Sequence, residues 1–285
     1  MPWSVKYVFE KGLHMKIILS RKGFDSANGG IVSPIFEDGT MISFPIPSSD
    51  KDTYDELNYK GTSYSKILSD LHYAGPNNCH VDPDLDPMRR RSPIDGWVPA
   101  FGQINSSASY LKNIGVQKGD IFLFFGNFHC VNKDKNGKYE YTRRTGDFYK
   151  DKDLQVIWGY LQVGEILDTA DMQKKVWWHP HAIDVRTSNN TNVIFKASQK
   201  LSFDKDKPGA GLLPFDKKRV LTLEGANKAT WKMNEVYDLD HIDVVKKRQN
   251  LAKNPLTGIY YAGIWQELGL KESDLCTEWA KSIIL

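Results

Sequence analysis

The sequence predicts an α+β fold with a mostly antiparallel β core and short flanking helices. Three observations carry this. Apolar runs of strand length fill the middle of the chain: Ile121 to Phe125, Leu154 to Gln162, Val163 to Leu167 and Val193 to Ala197. Two turn dipeptides, Asp38-Gly39 and Asn136-Gly137, stand between strand-like runs, as tight hairpins require. Helices of ten or more residues do not space the strands, which disfavours a Rossmann-type parallel sheet.

The elements follow in order. Lys16 to Leu19 reads as a strand running into a polar, glycine-rich loop. Ile31 to Phe36 and Met41 to Ile46 flank the Asp-Gly turn, and Pro45 and Pro47 end that unit. Ser63 to Tyr73 carries Ile67, Leu68 and Leu71 on one helical face, and Gly75-Pro76 stops it. Residues 76–99 are rich in proline and form a long irregular loop, a kind of segment that often carries function. Ser106 to Ile114 is a second short helix. Phe128 to Val131 and Tyr139 to Thr142 are the arms of the Asn-Gly hairpin. Ala182 to Val185 and Arg219 to Leu223 add strands. Ile259 to Leu285 reads as two short helices around Gly269, the second capped by Ser273. Met15 opens this pattern, so residues 1–14 read as an extension and Met15 as a candidate start. Residues 15–285 read as one domain, with a β-rich core over 100–225 and a helical tail over 240–285.

Composition narrows the function classes. With 285 residues, 40% hydrophobic and 12% aromatic, the chain can fill a core and is not a disordered tail. Its 38 basic and 35 acidic residues leave a net charge of +3, which excludes wrapping a polyanion with the whole surface. No apolar run approaches ~18 residues, so no membrane span is expected. Cys79, Cys130 and Cys276 are odd in number and form no CxxC pair. Free thiols in a cytoplasmic protein fit this better than a disulfide framework or a cysteine-rich zinc site. The first fourteen residues lack the apolar region of a signal peptide.

Three segments carry candidate chemistry. Ser20, Arg21, Lys22, Asp25, Ser26, Asn28 and Gly29 crowd a glycine-containing loop directly after a strand. Its N–H groups suit an anion nest, and Arg21 and Lys22 add positive charge for a phosphate; a solvated turn is the plain alternative. It is not a Walker A loop, because no GxxxxGK[ST] pattern is present. Next, His80, Asp82, Asp84 and Asp86 alternate, so an extended backbone places them on one face, and His80, Asp82 and Asp84 form a candidate divalent-metal set. An EF-hand is excluded, with Pro87 and Pro93 where Gly and Glu are needed; Asp-Pro turns are the plain alternative. Last, Trp177-Trp178-His179-Pro180-His181 offers two imidazoles for acid–base or metal work and two indoles that either stack on a base or pack in the core. HExxH spacing is absent. Basic clusters stand at Arg89–Arg91, Arg143-Arg144, Lys217–Arg219 and Lys246–Arg248.

Several strings together resemble a known family. They are Leu19-Ser20-Arg21-Lys22-Gly23-Phe24-Asp25-Ser26, Gly29 to Pro34, Cys79-His80-Val81-Asp82-Pro83-Asp84 and Phe101-Gly102-Gln103. Further along come Gly119 to Gly126, Val156 to Glu165 and His179-Pro180-His181. In order and wording they resemble the third nucleotide-modification-associated domain, a bacterial and phage family linked with DNA base modification. The likeness runs from Met15 to Trp231. It departs at Gly126-Asn127-Phe128-His129, where the family tends to have Trp and Arg, and at Lys228-Ala229-Thr230-Trp231, which replaces an Arg-Ser pattern. It implies a nucleotide, DNA or modified base as the partner, with Gln103 among the motif residues. The predicted catalytic set is His80, Asp82, His179, His181 and Asp25. The predicted binding set is Ser20, Arg21, Lys22, Ser26, Asn28, Gly29 and Gln103. A divalent metal is the one cofactor the residues point to. A nucleotide- or base-modifying enzyme, a non-catalytic reader of modified nucleotides and a metal-dependent nuclease or phosphoesterase all remain open. The β region also resembles the core of PUA-like barrels, which often bind modified bases or RNA.

Overall fold

The computed structural model describes residues 15–237, 251–254, 258–261 and 266–285. The extension 1–14 lies outside them, as do residues 240–250, 255–257 and 262–265 of the predicted tail over 240–285. The strands are β1 (Ile17–Arg21), β2 (Ser33–Ile35), β3 (Ile46–Pro47), β4 (Asn58–Tyr59), β5 (Thr62–Ser63), β6 (Cys79–His80), β7 (Ala100–Gln103) and β8 (Ile121–Lys133). They continue with β9 (Tyr139–Tyr141), β10 (Leu154–Leu167), β11 (Val193–Ala197), β12 (Ala210–Leu212), β13 (Thr230–Trp231), β14 (Leu251–Asn254), β15 (Gly258–Tyr261) and β16 (Glu267–Gly269). The helices are α1 (Tyr64–Asp70), α2 (Asn105–Asn113), α3 (Phe148–Asp151), α4 (Ala170–Gln173), α5 (Asp184–Thr187) and α6 (Asp274–Ile284).

The main sheet runs β16-β1-β8-β10-β11-β7, with β2 and β9 on β8 and β12 on β10. Its pairings are antiparallel except β1–β8 and β2–β8. This is the mixed α+β class that the sequence predicts. The apolar runs of β8 and β10 are continuous because both sheet faces are covered. On one face Ile121, Leu123 and Phe125 join Ile17, Leu19, Trp231 and the α6 residues Ala280 and Ile283. On the other, Phe122 and Phe124 join Ile18, Phe101, Trp158, Phe195 and the α2 residue Leu111. A third cluster, with Phe24, Phe44, Tyr54, Ile67 and Cys79, packs α1 and the loops around it.

The sheet curls until its outer strands approach. Gln103 Nε2 on β7 donates to the Glu267 carboxylate on β16 and, at 3.3 Å, to Gln266 Oε1. No ladder joins β7 to β16 among the described strands, so the curl stops short of a closed barrel.

Several elements differ from the sequence expectation, each for a local reason. Leu154 to Leu167 is one strand, with a register shift between Val163 and Glu165 rather than a break. Ala182 to Val185 is not a strand: Pro180–Ala182 is a 3-10 turn and Asp184 opens α5. The Asp-Gly turn forms, yet its arms share only the bridge Ile35–Met41 because β2 pairs with β8 instead. Arg219 to Leu223 makes isolated bridges to Val156 and Trp231. In the described residues of the predicted helix before Gly269, Gly258–Tyr261 and Glu267–Gly269 are strands, the latter added to the edge of β1. Ser273 does cap α6, accepting from the Cys276 N–H.

Asp120 ties β1 to β8, accepting from the Lys16 N–H at 2.9 Å and the Gln117 N–H at 2.8 Å. Burial pushes its carboxyl up to about 7, against those hydrogen bonds and the Lys16 charge. An unfolded Asp titrates near ~3.9. Between those values the folded chain holds a proton that the unfolded chain has released, so stability falls as pH rises. The loss reaches up to about 4 kcal/mol by pH 7. Asp120→Asn is expected to flatten the denaturation midpoint between pH 4 and 7. Parallel pH profiles for the two proteins would contradict this origin.

Candidate active site

Strand β7 is an outer strand, and residues 82–84 cover its free edge. Asp84 and Ala100 exchange backbone hydrogen bonds of 2.9 and 3.0 Å. Two residues earlier, Asp82 Oδ1 accepts from the Gly102 N–H at 2.7 Å. Strand β6 delivers His80 beside Asp82, held by β3 with Ile46 opposite His80. The turn at Pro180 brings the other two imidazoles, and His179 caps it, Nδ1 accepting from the His181 N–H at 3.2 Å. Gly102 is what lets His181 in: a Cβ there would stand 2.3 Å from the His181 ring.

The hydrogen bonds assign the tautomers. His80 Nδ1 donates to Asp50 Oδ2 at 2.6 Å. Asp50 is in turn held by the Arg186 fork at 2.6 and 3.0 Å and by Ser48 Oγ at 3.0 Å. His181 Nδ1 donates to Asn192 Oδ1 at 2.7 Å. The Asn192 amide is fixed because its Nδ2 donates to Gln173 Oε1 and to the His181 carbonyl. In the neutral tautomer with Nδ1 as the donor, Nε2 is a bare lone pair. Those atoms lie 3.8 Å (His80) and 3.9 Å (His181) from Asp82 Oδ2. His179 is fully buried, and its Nε2 stands 3.2 Å from Asp82 Oδ1 without an aligned hydrogen bond.

Burial, with the neighbouring imidazoles, pulls His181 down to about 3 against the opposing pull of Asp82, so it is neutral at pH 7. Burial works against the charge on Asp82, but His179 and the other imidazoles hold its carboxyl well below the usual range. Asp50 is held low in the same way, burial being outweighed by His80 and Arg186. The result is a nearly buried carboxylate faced by the Nε2 atoms of two imidazoles. Such a set can accept a proton from a substrate or hold a cation. His80, Asp82 and His181 each offer a ligand atom, and these lie within 4.8 Å of one another.

Of the predicted residues, His80, Asp82, His179 and His181 converge. Asp84 does not join them: its Oδ2 accepts from Arg90 at 3.1 Å and Trp97 Nε1 at 3.0 Å. The strict alternation fails because residues 82–84 fold along β7, with Asp82 N–H turned to the His80 carbonyl. Asp25 is also elsewhere, accepting from the Ala27 and Asn28 N–H groups and pairing with Arg21 at 3.4 Å. The loop around it spends much of its N–H and cation capacity internally. Lys22 Nζ sits 3.0 Å from Glu267, beside Gln103, and the Gly30 N–H donates to the Asp25 carbonyl. Asn28 Nδ2 donates to Asp25 as well, and a Cβ on Gly29 would strike the Phe24 ring at 2.3 Å. Ser26 is exposed in the same turn, while Ser20 Oγ is buried without a hydrogen bond. Trp178 and Trp158 are core residues, whereas Trp177 is 58% exposed, with Lys51 Nζ 5.1 Å from its ring centre.

Sequence reasoning missed Asp50, Arg186 and Asn192, which orient the cluster, and named Gly102 only within the Phe101-Gly102-Gln103 string, without a role. No motif ties Asp50, Arg186 or Asn192 to the histidines; only the folded chain does. A surface cavity of about 720 Å³ lies elsewhere, lined by His72, Asn132, Glu140, Arg143 and Arg144, and none of the converging histidines reaches it.

The fold and the edge-strand cluster define a mixed α+β domain with a built polar site. Residues 16–268 match the family model for nucleotide modification associated domain 3, and the chain belongs to that family. The match extends past Trp231 to the edge strand that carries Glu267. No curated protein and no solved structure matches the chain. Among the described residues, no helix is long and apolar enough to cross a membrane.

Gly102→Ala is expected to destabilise the chain by about 1–3 kcal/mol through overpacking. In a His181→Ala background most of that cost should vanish, which a double-mutant cycle in urea would measure. Additive losses would show that His181 is not what the missing Cβ accommodates.

Proposed function

We propose that this chain binds a nucleotide or a modified DNA base and acts on it at the His80–Asp82–His181 cluster. The observation that carries this is the convergence of three imidazoles, from the segment of Asp82 itself and from the turn at Pro180, on one carboxylate, with Nε2 of His80 and His181 facing it. Membership of a nucleotide-modification-associated family supports this choice of substrate class. The two imidazole Nε2 atoms and the Asp82 carboxylate supply acceptor atoms at which a substrate proton or a cation can be held.

Trp177 and Lys51 extend the site outward. Trp177 stands two residues before His179, and Lys51 follows Asp50. The exposed indole and the ammonium meet at 5.1 Å, on residues close in the chain to two members of the cluster, and the pair suits stacking on a base and holding its phosphate. This arrangement fits a single nucleotide or extruded base better than a long DNA groove, in keeping with a net charge of only +3.

The test is titration of mononucleotides and short oligonucleotides, unmodified and base-modified, followed by product analysis. Trp177→Ala is expected to weaken binding by about 1–3 kcal/mol. His181→Ala should abolish turnover while keeping most of the binding. Binding without turnover in the wild-type chain would assign it as a reader instead. Absence of both binding and turnover across the panel would refute the proposal.

A further inference from the structure

We infer that His80 Nε2, Asp82 Oδ2 and His181 Nε2 form a centre for one divalent transition-metal ion, with coordination positions left open. This deepens the function proposed above and rests on it only for what the ion would act on.

The first argument is a division of labour among atoms. His80 Nδ1 is used by Asp50, His181 Nδ1 by Asn192, and Asp82 Oδ1 by the Gly102 N–H. The remaining atom of each side chain has no hydrogen-bond partner among the described residues, and those three remaining atoms are the ones that face each other. Ligating histidines characteristically donate their second ring N–H to a carboxylate or carbonyl, which fixes the tautomer that binds metal. Both outward partners here are of that kind.

The second argument is burial. The Asp82 side chain is only 5% exposed, and the groups within ion-pair distance of it among the described residues are the three imidazoles. A carboxylate taken out of water is costly unless it is paired or coordinates a metal. His179 points the same way: it is fully buried, and its Nε2 is aimed at Asp82 Oδ1 without an aligned hydrogen bond. Its Nδ1 already accepts from the His181 N–H, so Nε2 carries the proton. His179 is therefore a positioning residue for Asp82 and not a ligand.

The third argument is geometry and softness. Metal–nitrogen distances of ~2.0–2.1 Å place cis ligand atoms about 3–3.4 Å apart. The observed 3.8 and 3.9 Å close to that range by about half an ångström, within small side-chain rotations. Two imidazoles and one carboxylate suit zinc, iron(II), cobalt(II) or manganese(II) rather than calcium or magnesium, which prefer all-oxygen sets. Three protein ligands are the pattern of a site that keeps room for water or substrate.

The experiment strips the full chain with chelator and titrates it with Co²⁺, followed by competition with Zn²⁺ and elemental analysis. One ion per chain is expected, with visible Co²⁺ bands of low-symmetry nitrogen–oxygen coordination. His80→Ala, His181→Ala and Asp82→Asn should each weaken Co²⁺ binding by about 100-fold or more, and Asn192→Ala by about 10–100-fold. Asp184→Ala, at an exposed acidic residue of α5, should leave it unchanged. X-ray absorption on the cobalt-loaded wild-type chain should count two imidazoles, a readout that survives even if a variant fails to fold. Substoichiometric binding, unchanged affinity in folded ligand variants, or fewer than two imidazoles would overturn the inference. Nucleotide binding is measured separately on the stripped chain. Nucleotide binding without metal binding removes the metal centre alone. Metal binding without any nucleotide binding or turnover removes the proposed function alone.

Discussion

The hydrogen bond from the Gly102 N–H to Asp82 is the contact on which the site depends. It uses a backbone donor on the unpaired edge of β7, a group that would otherwise need water or another strand. In satisfying it, Asp82 is fixed in place, and the segment carrying it is stitched to the sheet by the Asp84–Ala100 pair. The imidazoles then arrange around a carboxylate whose position is set by the main chain. A glycine is required at the same point because the His181 ring occupies the space of its Cβ. One residue thus provides both the anchor and the clearance.

The outward-facing groups explain why such a polar cluster tolerates burial. Asp50 is nearly buried, yet it receives a bidentate guanidinium, a hydroxyl and an imidazole N–H. Asn192 uses its carbonyl and both amide bonds on Gln173, the His181 carbonyl and the His181 ring. These partners lock ring orientations, because a rotated imidazole would strand a buried donor at a cost of about 1–3 kcal/mol. The inner atoms are the exception to this satisfaction. Those inner atoms face one another within 4.8 Å, and convergence of this kind is what distinguishes them from buried polar atoms left single elsewhere, such as Trp158 Nε1 and Thr277 Oγ1.

Much of the fold was legible in the sequence because its signals are local. Continuous apolar runs gave β8, β10 and β11; the Asn-Gly turn gave the β8–β9 hairpin; Ser63 and Ser273 gave two helix starts. The strand β16 was hidden because its pairing partner β1 lies far away in sequence. The site was legible in part for the same reason. His80, Asp82, His179 and His181 are chemically conspicuous, so residue type alone picked them out. Asp84 was misplaced because alternation assumes an extended backbone, and residues 82–84 bend to follow β7. Asp50, Arg186 and Asn192 look like ordinary polar residues until the fold brings them behind the histidines.

The loop cations illustrate how net charge and local charge come apart. Arg21, Lys22 and Arg90 looked available to a phosphate, but Asp25, Glu267 and the Asp52–Asp84 pair already neutralise them. The Lys22–Glu267–Gln103 group has a different use. It joins the ends of β1, β16 and β7, and Gln103 directly follows the glycine that anchors Asp82. The curl of the sheet is therefore transmitted to the edge on which the site is built. Ser20 Oγ and Glu267 Oε2 are buried there without hydrogen bonds. That cost is borne at the seam because the seam sets where β7 lies, and the position of β7 decides where Asp82 meets the histidines.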